Sequence, residues 1–142
     1  MGMYTRLNIS CNIKPSDEYY LDVLDFMTGR TQQRPDKWIR LHPEELLFMT
    51  PRWEWMLKSH SYYFEHKPVS YLIYDYIGRF YVFGCDCDLK NYDNEIEYFL
   101  KWLAPALDTE GPVLAGYYHY EEDDPQFIIF DHGHVKIGCK EL

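Results

Sequence analysis

The stretch Leu7-Asn8-Ile9-Ser10-Cys11-Asn12-Ile13 alternates apolar and polar residues without a break, and it decides the fold. Alternation with period two is the pattern of a half-buried strand, one face in a core and the other in water. Pro15-Ser16-Asp17 follows, and then Tyr20, Val23, Leu24 and Met27 recur at the spacing of one helix face. Ser16 or Asp17 is the expected N-cap, and Gly29 suits the left-handed position that ends a helix. The same order returns later in the chain. When residues 4–27 are laid over residues 80–103, a shift of 76, Cys11, Lys14, Asp17 and Leu24 fall on Cys87, Lys90, Asp93 and Leu100. Leu7, Ile9, Cys11 and Ile13 meet Phe83, Cys85, Cys87 and Leu89, while Tyr20, Val23, Leu24 and Met27 meet Ile96, Phe99, Leu100 and Leu103.

The correspondence resumes downstream. Tyr62-Tyr63 followed by Tyr71-Leu72-Ile73-Tyr74-Asp75 echoes Tyr117-Tyr118 followed by Phe127-Ile128-Ile129-Phe130-Asp131. Each unit therefore reads strand–helix–strand–strand. In the first, strands are expected at about residues 4–14, 61–65 and 69–76 around a helix reaching residue 27. In the second, a strand at about residues 79–89 precedes a helix at 93–103 that Ala104-Pro105 stops. Strands at 113–120 and 126–131 follow, and His132-Gly133 is the two-residue turn into a last strand at 134–139. The expected fold is α+β: duplicated β-α-β-β units with pseudo-twofold symmetry, a mainly antiparallel sheet and two main helices on one face. A single domain spans residues 1–142, with repeat 1 at about 3–76 and repeat 2 at about 79–139.

The two units differ most at residues 30–59, about thirty residues without a counterpart that hold three of the four tryptophans, Trp38, Trp53 and Trp55. A connection that long inside a compact domain has a function or structure of its own. His42-Pro43-Glu44-Glu45 resembles a helix start with Pro at its first position, so that Leu46, Leu47 and Phe48 pack inwards, and a second helical piece covers residues 51–58.

A chain of 142 residues can bury roughly 70% of the surface it exposes when unfolded, enough to need no disulfide or metal. No apolar run of about 18 residues exists to span a membrane and no secretory signal opens the chain, so Cys11, Cys85, Cys87 and Cys139 read as reduced thiols in the cytoplasm of a host cell. A net charge of −9 excludes broad binding to duplex nucleic acid, which rests on Lys and Arg neutralising phosphates, and favours a basic partner. The charge is uneven: residues 30–60 carry six Lys or Arg and four Asp or Glu, a local +2 that leaves −11 elsewhere.

Catalytic and metal motifs are weak. Cys85-Asp86-Cys87 with His132-Gly133-His134 offers a zinc ligand set, but Cys85 and Cys87 fall on the repeated apolar face and read as buried. Cys139 reads as core by the same alternation. Asp75 and Asp131 sit beside hairpin turns, where Asp is ordinary turn chemistry. No catalytic residue, metal or cofactor is expected. The insert is the stronger candidate, because Arg52-Trp53-Glu54-Trp55 combines residue types that dominate binding hot spots. Trp38, Arg52, Trp53 and Trp55, with the acidic run Glu121-Glu122-Asp123-Asp124, form the expected partner-binding set. The alternative is a small-molecule groove between the repeats, lined by Tyr62, Tyr63, Tyr117, Tyr118, His119 and Tyr120 and suited to an aromatic, cationic or nucleotide ligand. An edge strand at residues 134–139 could extend the sheet into a homodimer.

Lys90-Asn91-Tyr92-Asp93-Asn94-Glu95-Ile96-Glu97 leading to Phe99-Leu100-Lys101-Trp102, then Gly116-Tyr117-Tyr118 and Tyr120-Glu121-Glu122, is similar to a family of small phage- and prophage-encoded proteins. Arg52-Trp53 and Ser61-Tyr62-Tyr63 are further points of likeness. The resemblance implies an intracellular accessory protein, with countering of a host defence as its candidate role, and assigns no residue a chemistry. In architecture alone, the duplicated units resemble gyrase-inhibitor-like effector-binding domains, whose groove accepts aromatic or cationic ligands. The expected function is therefore a non-enzymatic protein that masks or inhibits a host protein with a basic surface; the alternative is a small-molecule binding module.

Overall fold

The computed structural model describes residues 3–60, 67–107 and 109–142. Its elements are β1 (Thr5–Ile13), α1 (Glu18–Met27), α2 (Asp36–Leu41), β2 (Val69–Asp75), β3 (Phe80–Leu89), α3 (Glu95–Leu103), β4 (Val113–Tyr120), β5 (Gln126–Asp131), β6 (His134–Ile137) and β7 (Lys140–Glu141). The strands form one antiparallel sheet in the order β2-β3-β1-β4-β5-β6-β7. The fold is α+β, and no helix of the described residues is long and apolar enough to cross a membrane.

The centre of the sheet is the pairing of β1 with β3, in which Ile9 stands opposite Cys85. Leu7, Ile9, Cys11 and Ile13 of β1 and Phe83, Cys85, Cys87 and Leu89 of β3 are all buried. They form the floor on which α1 and α3 lie. α1 contributes Val23, Leu24 and Met27, and α3 contributes Ile96, Phe99, Leu100 and Leu103. At about 25 cal/mol per Å² of apolar surface, each of these side chains adds roughly 1.5–3 kcal/mol by leaving water.

The helix ends follow local chemistry. Gly29 closes α1 with φ +81°, and the Thr28 N–H reaches back to the Leu24 carbonyl. Asp17 occupies the N-cap position, but its side chain makes no capping bond. α3 begins at Glu95 rather than 93, because Asn94 is left-handed and the Asn91 side-chain oxygen takes the Ile96 N–H at 2.8 Å. His132 and Gly133, with φ of 48° and 81°, make the tight turn between β5 and β6, with Asp131 paired to His134.

Three expectations change. The insert helix precedes His42 instead of starting there. α2 ends at Leu41 because Pro43 disfavours a helical residue before it, and Pro35 opens it. Leu46–Met49 and Met56–Lys58 are short 3-10 turns, with Leu47 buried and Leu46 exposed. The last strand stops at Ile137, where Gly138 and Cys139 turn the chain into β7, so the strand at 134–139 is not a free edge. Finally, β2 lies against β3 whereas β5 is separated from β1 by β4. Tyr71–Asp75 and Phe127–Asp131, which align in sequence, stand at different distances from the central pair. The strand expected at 61–65 lies outside the described residues.

β1 and β4 approach most closely at Gly116, where an added Cβ would stand 1.8 Å from the Asn8 carbonyl oxygen. Gly116→Ala should therefore lower stability by about 3 kcal/mol in urea unfolding, the scale of other overpacked backbone contacts. Gly111→Ala, with nothing within 4 Å of the new methyl, should stay within about 0.5 kcal/mol.

Candidate interaction surfaces

The helices and the insert cover one face of the sheet. The other face is composed by strand register. Val69, Asp86, Asn8, Tyr117 and Phe127 form one row across five strands, roughly 19 Å wide at the usual strand spacing. Tyr71, Gly84 and Ser10 form the next, beside the Leu114–Ile129 pair, and Ile73, Val82 and Asn12 the one after. Val69, Tyr71, Ile73, Leu114 and Phe127 are exposed, Ile73 at 59% and Phe127 at 62%. The open face thus has two apolar flanks, on β2 and on β4–β5, separated by the polar outer residues of β1. The Tyr71 ring lies over Gly84, where a side chain would displace it. Arg6 spans the centre, donating from Nε and Nη2 to the two Asp86 carboxylate oxygens at 2.9 and 2.8 Å, with its guanidinium 5.9 Å from the Tyr117 ring.

These flanks were legible in part. Tyr71-Leu72-Ile73-Tyr74 and Phe127-Ile128-Ile129-Phe130 are apolar in both phases, unlike β1, so one phase of each must leave the core. Their meeting on one face depends on register, which no local pattern contains.

The insert distributes its tryptophans differently from expectation. Trp53 is 2% exposed and packs against Phe26 and Phe48, with ring centroids 5.9 and 4.9 Å away. It fills space over α1 and cannot offer its ring to a partner. Trp38 is half-buried and committed: its Nε1 donates to Asp22 Oδ2 at 2.7 Å, and it sits 5.4 Å from Tyr19, which stacks on His42 at 4.0 Å. Arg52 is also engaged, with Nη1 donating to Asp93 at 2.8 Å and to the fully buried Glu95 at 3.2 Å. It ties the insert to the start of α3. Trp55, 52% exposed, is the tryptophan of the partner-binding set that faces solvent.

Glu121, Glu122, Asp123 and Asp124 are all exposed in the β4–β5 loop, whose base is held where the Glu121 N–H meets the Tyr4 carbonyl. They adjoin the end of the open face marked by Tyr117 and Phe127.

The tyrosine groove does not assemble from the described residues. Tyr62 and Tyr63 lie outside them. Tyr117 and His119 point to the open face, opposite Asn8 and Arg6, while Tyr118 and Tyr120 point to the other side, opposite Leu7 and Thr5. Tyr118 and Tyr120 line a separate cleft of about 310 Å³ with Glu97, Asp123 and Lys140. Burial raises the Tyr118 hydroxyl above its ordinary pKa, with the Glu97 charge adding to the effect.

The cysteine and carboxylate constellations are dispersed. β3 and β6 stand four strand spacings apart, so buried Cys85 and Cys87 are roughly 19 Å from the His134 strand. Asp75 is a turn residue: its Oδ1 accepts from the Ile77 and Gly78 N–H groups at 2.9 and 3.1 Å. Asp131, on β5, is four strands from Asp75 on β2, too far for paired acid–base work. Cys139 overturns the expectation of four buried thiols, because it sits exposed in the β6–β7 turn.

Two outcomes follow from these placements. Trp53→Ala should cost about 3–5 kcal/mol in urea unfolding, and Trp55→Ala less than about 1 kcal/mol. A thiol reagent at pH 8 should label Cys139 alone in the native protein and all four cysteines in denaturant. Burial pushes the Cys11 thiol up to about 12, and the Cys85 hydrogen bond and burial raise Cys87 well above its ordinary range. Native labelling of Cys85 or Cys87 would contradict the placement of β3. Comparison with known proteins returns no match, whether against family models, curated proteins or solved structures.

Proposed function

We propose that this chain is a non-enzymatic protein-binding module whose recognition surface is the open face of the sheet, with the acidic β4–β5 loop as its rim. The observation that carries this reading is the row-by-row convergence of Val69, Tyr71, Ile73, Leu114 and Phe127 on one uncovered face. An antiparallel sheet that faces only water alternates apolar and polar residues. β1 does so, and β2 and β5 do not. Exposed apolar patches edged by polar residues are characteristic of interaction sites, and this face carries two, on β2 and on β4–β5, on either side of a polar strip. Tyr71, Tyr117 and Phe127 supply the aromatic anchors that dominate interface energetics.

Electrostatics favour a partner with a basic rim beside apolar patches that meet the two flanks. The acidic loop abuts the Phe127 end of the face, and the net charge of −9 would steer such a partner into encounter. Likeness to phage-encoded accessory proteins makes a protein of the host cell the class we propose, with masking of its surface as the mechanism. The geometry shifts the proposed anchors away from Trp53 and Trp38, which the fold uses internally, and towards the strands.

The test is affinity capture from host-cell extract by wild-type chain, Ile73→Glu/Phe127→Glu and Trp55→Ala. The double variant should lose the captured protein by more than tenfold while keeping its circular dichroism spectrum and melting temperature, because both side chains are exposed. Capture that survives the double variant but fails with Trp55→Ala would refute the open-face reading and return the site to the insert.

A further inference from the structure

A second feature lies at the end of the sheet where β1 begins and β3 ends. A cleft of about 340 Å³ opens there between the 3-10 turn Met56–Lys58 and the strand ends, lined by Tyr4, Arg52, Trp55, Lys58, His60 and Lys90 among others. In a chain of net charge −9, the described residues of the lining hold three permanent cations and no carboxylate. Arg52 is neutralised from behind by Asp93 and Glu95. Lys58 and Lys90 have no carboxylate partner among the described residues, so they carry the uncompensated positive charge of the lining.

Both ammonium groups are positioned by packing. The Lys58 stem crosses Gly29, where a side chain would come within 3.2 Å of Cε, and Lys90 Nζ stands 5.6 Å from the centre of the Tyr4 ring. Trp55, half exposed beside them, offers an indole face with no partner ring among the described residues. The cleft therefore joins two chemistries: a flat aromatic platform for stacking and a pair of lysines for an anion.

We infer that this cleft binds a small phosphorylated heterocycle of the nucleoside monophosphate class, with its ring against Trp55 and its phosphate between Lys58 and Lys90. Stacking on an aromatic side chain is tolerant of base identity, and a lysine pair recognises phosphate as point charges. The volume lies at the lower end of the ~300–1,000 Å³ typical of ligand sites, which favours one ring and one phosphate over a dinucleotide. The cleft shares no lining residue with the rows of the open face, so the two sites can be lost independently.

Titration calorimetry of the full chain with AMP, UMP, adenosine and inorganic phosphate tests this. AMP and UMP should bind, with adenosine and phosphate each at least tenfold weaker, and affinity should fall as salt rises. Lys58→Glu and Lys90→Glu should each weaken AMP by at least tenfold, and Trp55→Ala should weaken AMP without changing phosphate. Lys136→Glu on β6 should leave all four ligands unchanged, and all variants should keep the parent melting temperature in the absence of ligand. No heat from either nucleotide up to about 1 mM, a threshold near −4 kcal/mol, would overturn the inference. So would AMP binding that both lysine variants leave intact, or phosphate binding as tightly as AMP.

Discussion

The antiparallel pairing of β1 with β3 is the constraint on which the rest of the molecule depends. Each strand contributes four buried side chains to the same floor, and the register with Ile9 opposite Cys85 aligns them. A slip of one residue would turn Leu7, Ile9, Cys11 and Ile13 out to water and bring Arg6, Asn8, Ser10 and Asn12 in. Because β1 is also the partner of β4, that register sets where β4 and β5 stand. The same pairing therefore positions the core below the sheet and the exposed rows above it.

Polar contacts then attach the insert to this framework. Arg52 reaches the fully buried Glu95 at the start of α3, and Trp102 of α3 donates to the Tyr19 hydroxyl of α1 at 2.8 Å. Tyr19, Trp38, His42 and Phe48 gather around that bond as neighbouring rings. Burial raises the Tyr19 hydroxyl well above its ordinary pKa, so it stays protonated as pH rises through the range of an exposed tyrosine. The insert is thus built into the domain, and its aromatic richness is mostly structural. This is why hot-spot composition misdirects when read from Arg52-Trp53-Glu54-Trp55: residue type does not distinguish a ring filling a core from one offered to a partner.

Much of the fold was legible because it follows from local rules. The period-two run of β1 has one favourable placement, Gly29 stops α1, Pro105 ends α3, and His132-Gly133 turns β5 into β6. The candidate sites were less legible. The two-phase apolar runs at residues 71–74 and 127–130 carry a signal, but their likeness to each other points to shared scaffold and not to strands with an unburied phase. The cleft of Tyr4, Lys58 and Lys90 carried none, since those residues are tens of positions apart and ordinary in type. Cys139 escapes the alternation of β6 because the chain turns at Gly138.

By itself, the sequence determined the α+β class and most element boundaries, because backbone conformation and side-chain period are properties of a few neighbouring residues. Only the tertiary structure decided which tryptophan is buried, which strands flank which, and which side chains share a surface. Those outcomes depend on contacts between residues far apart in the chain: Trp53 with Phe26, Arg52 with Glu95, and Tyr117 with both Asn8 and Phe127. A functional surface made by register is invisible until the register exists.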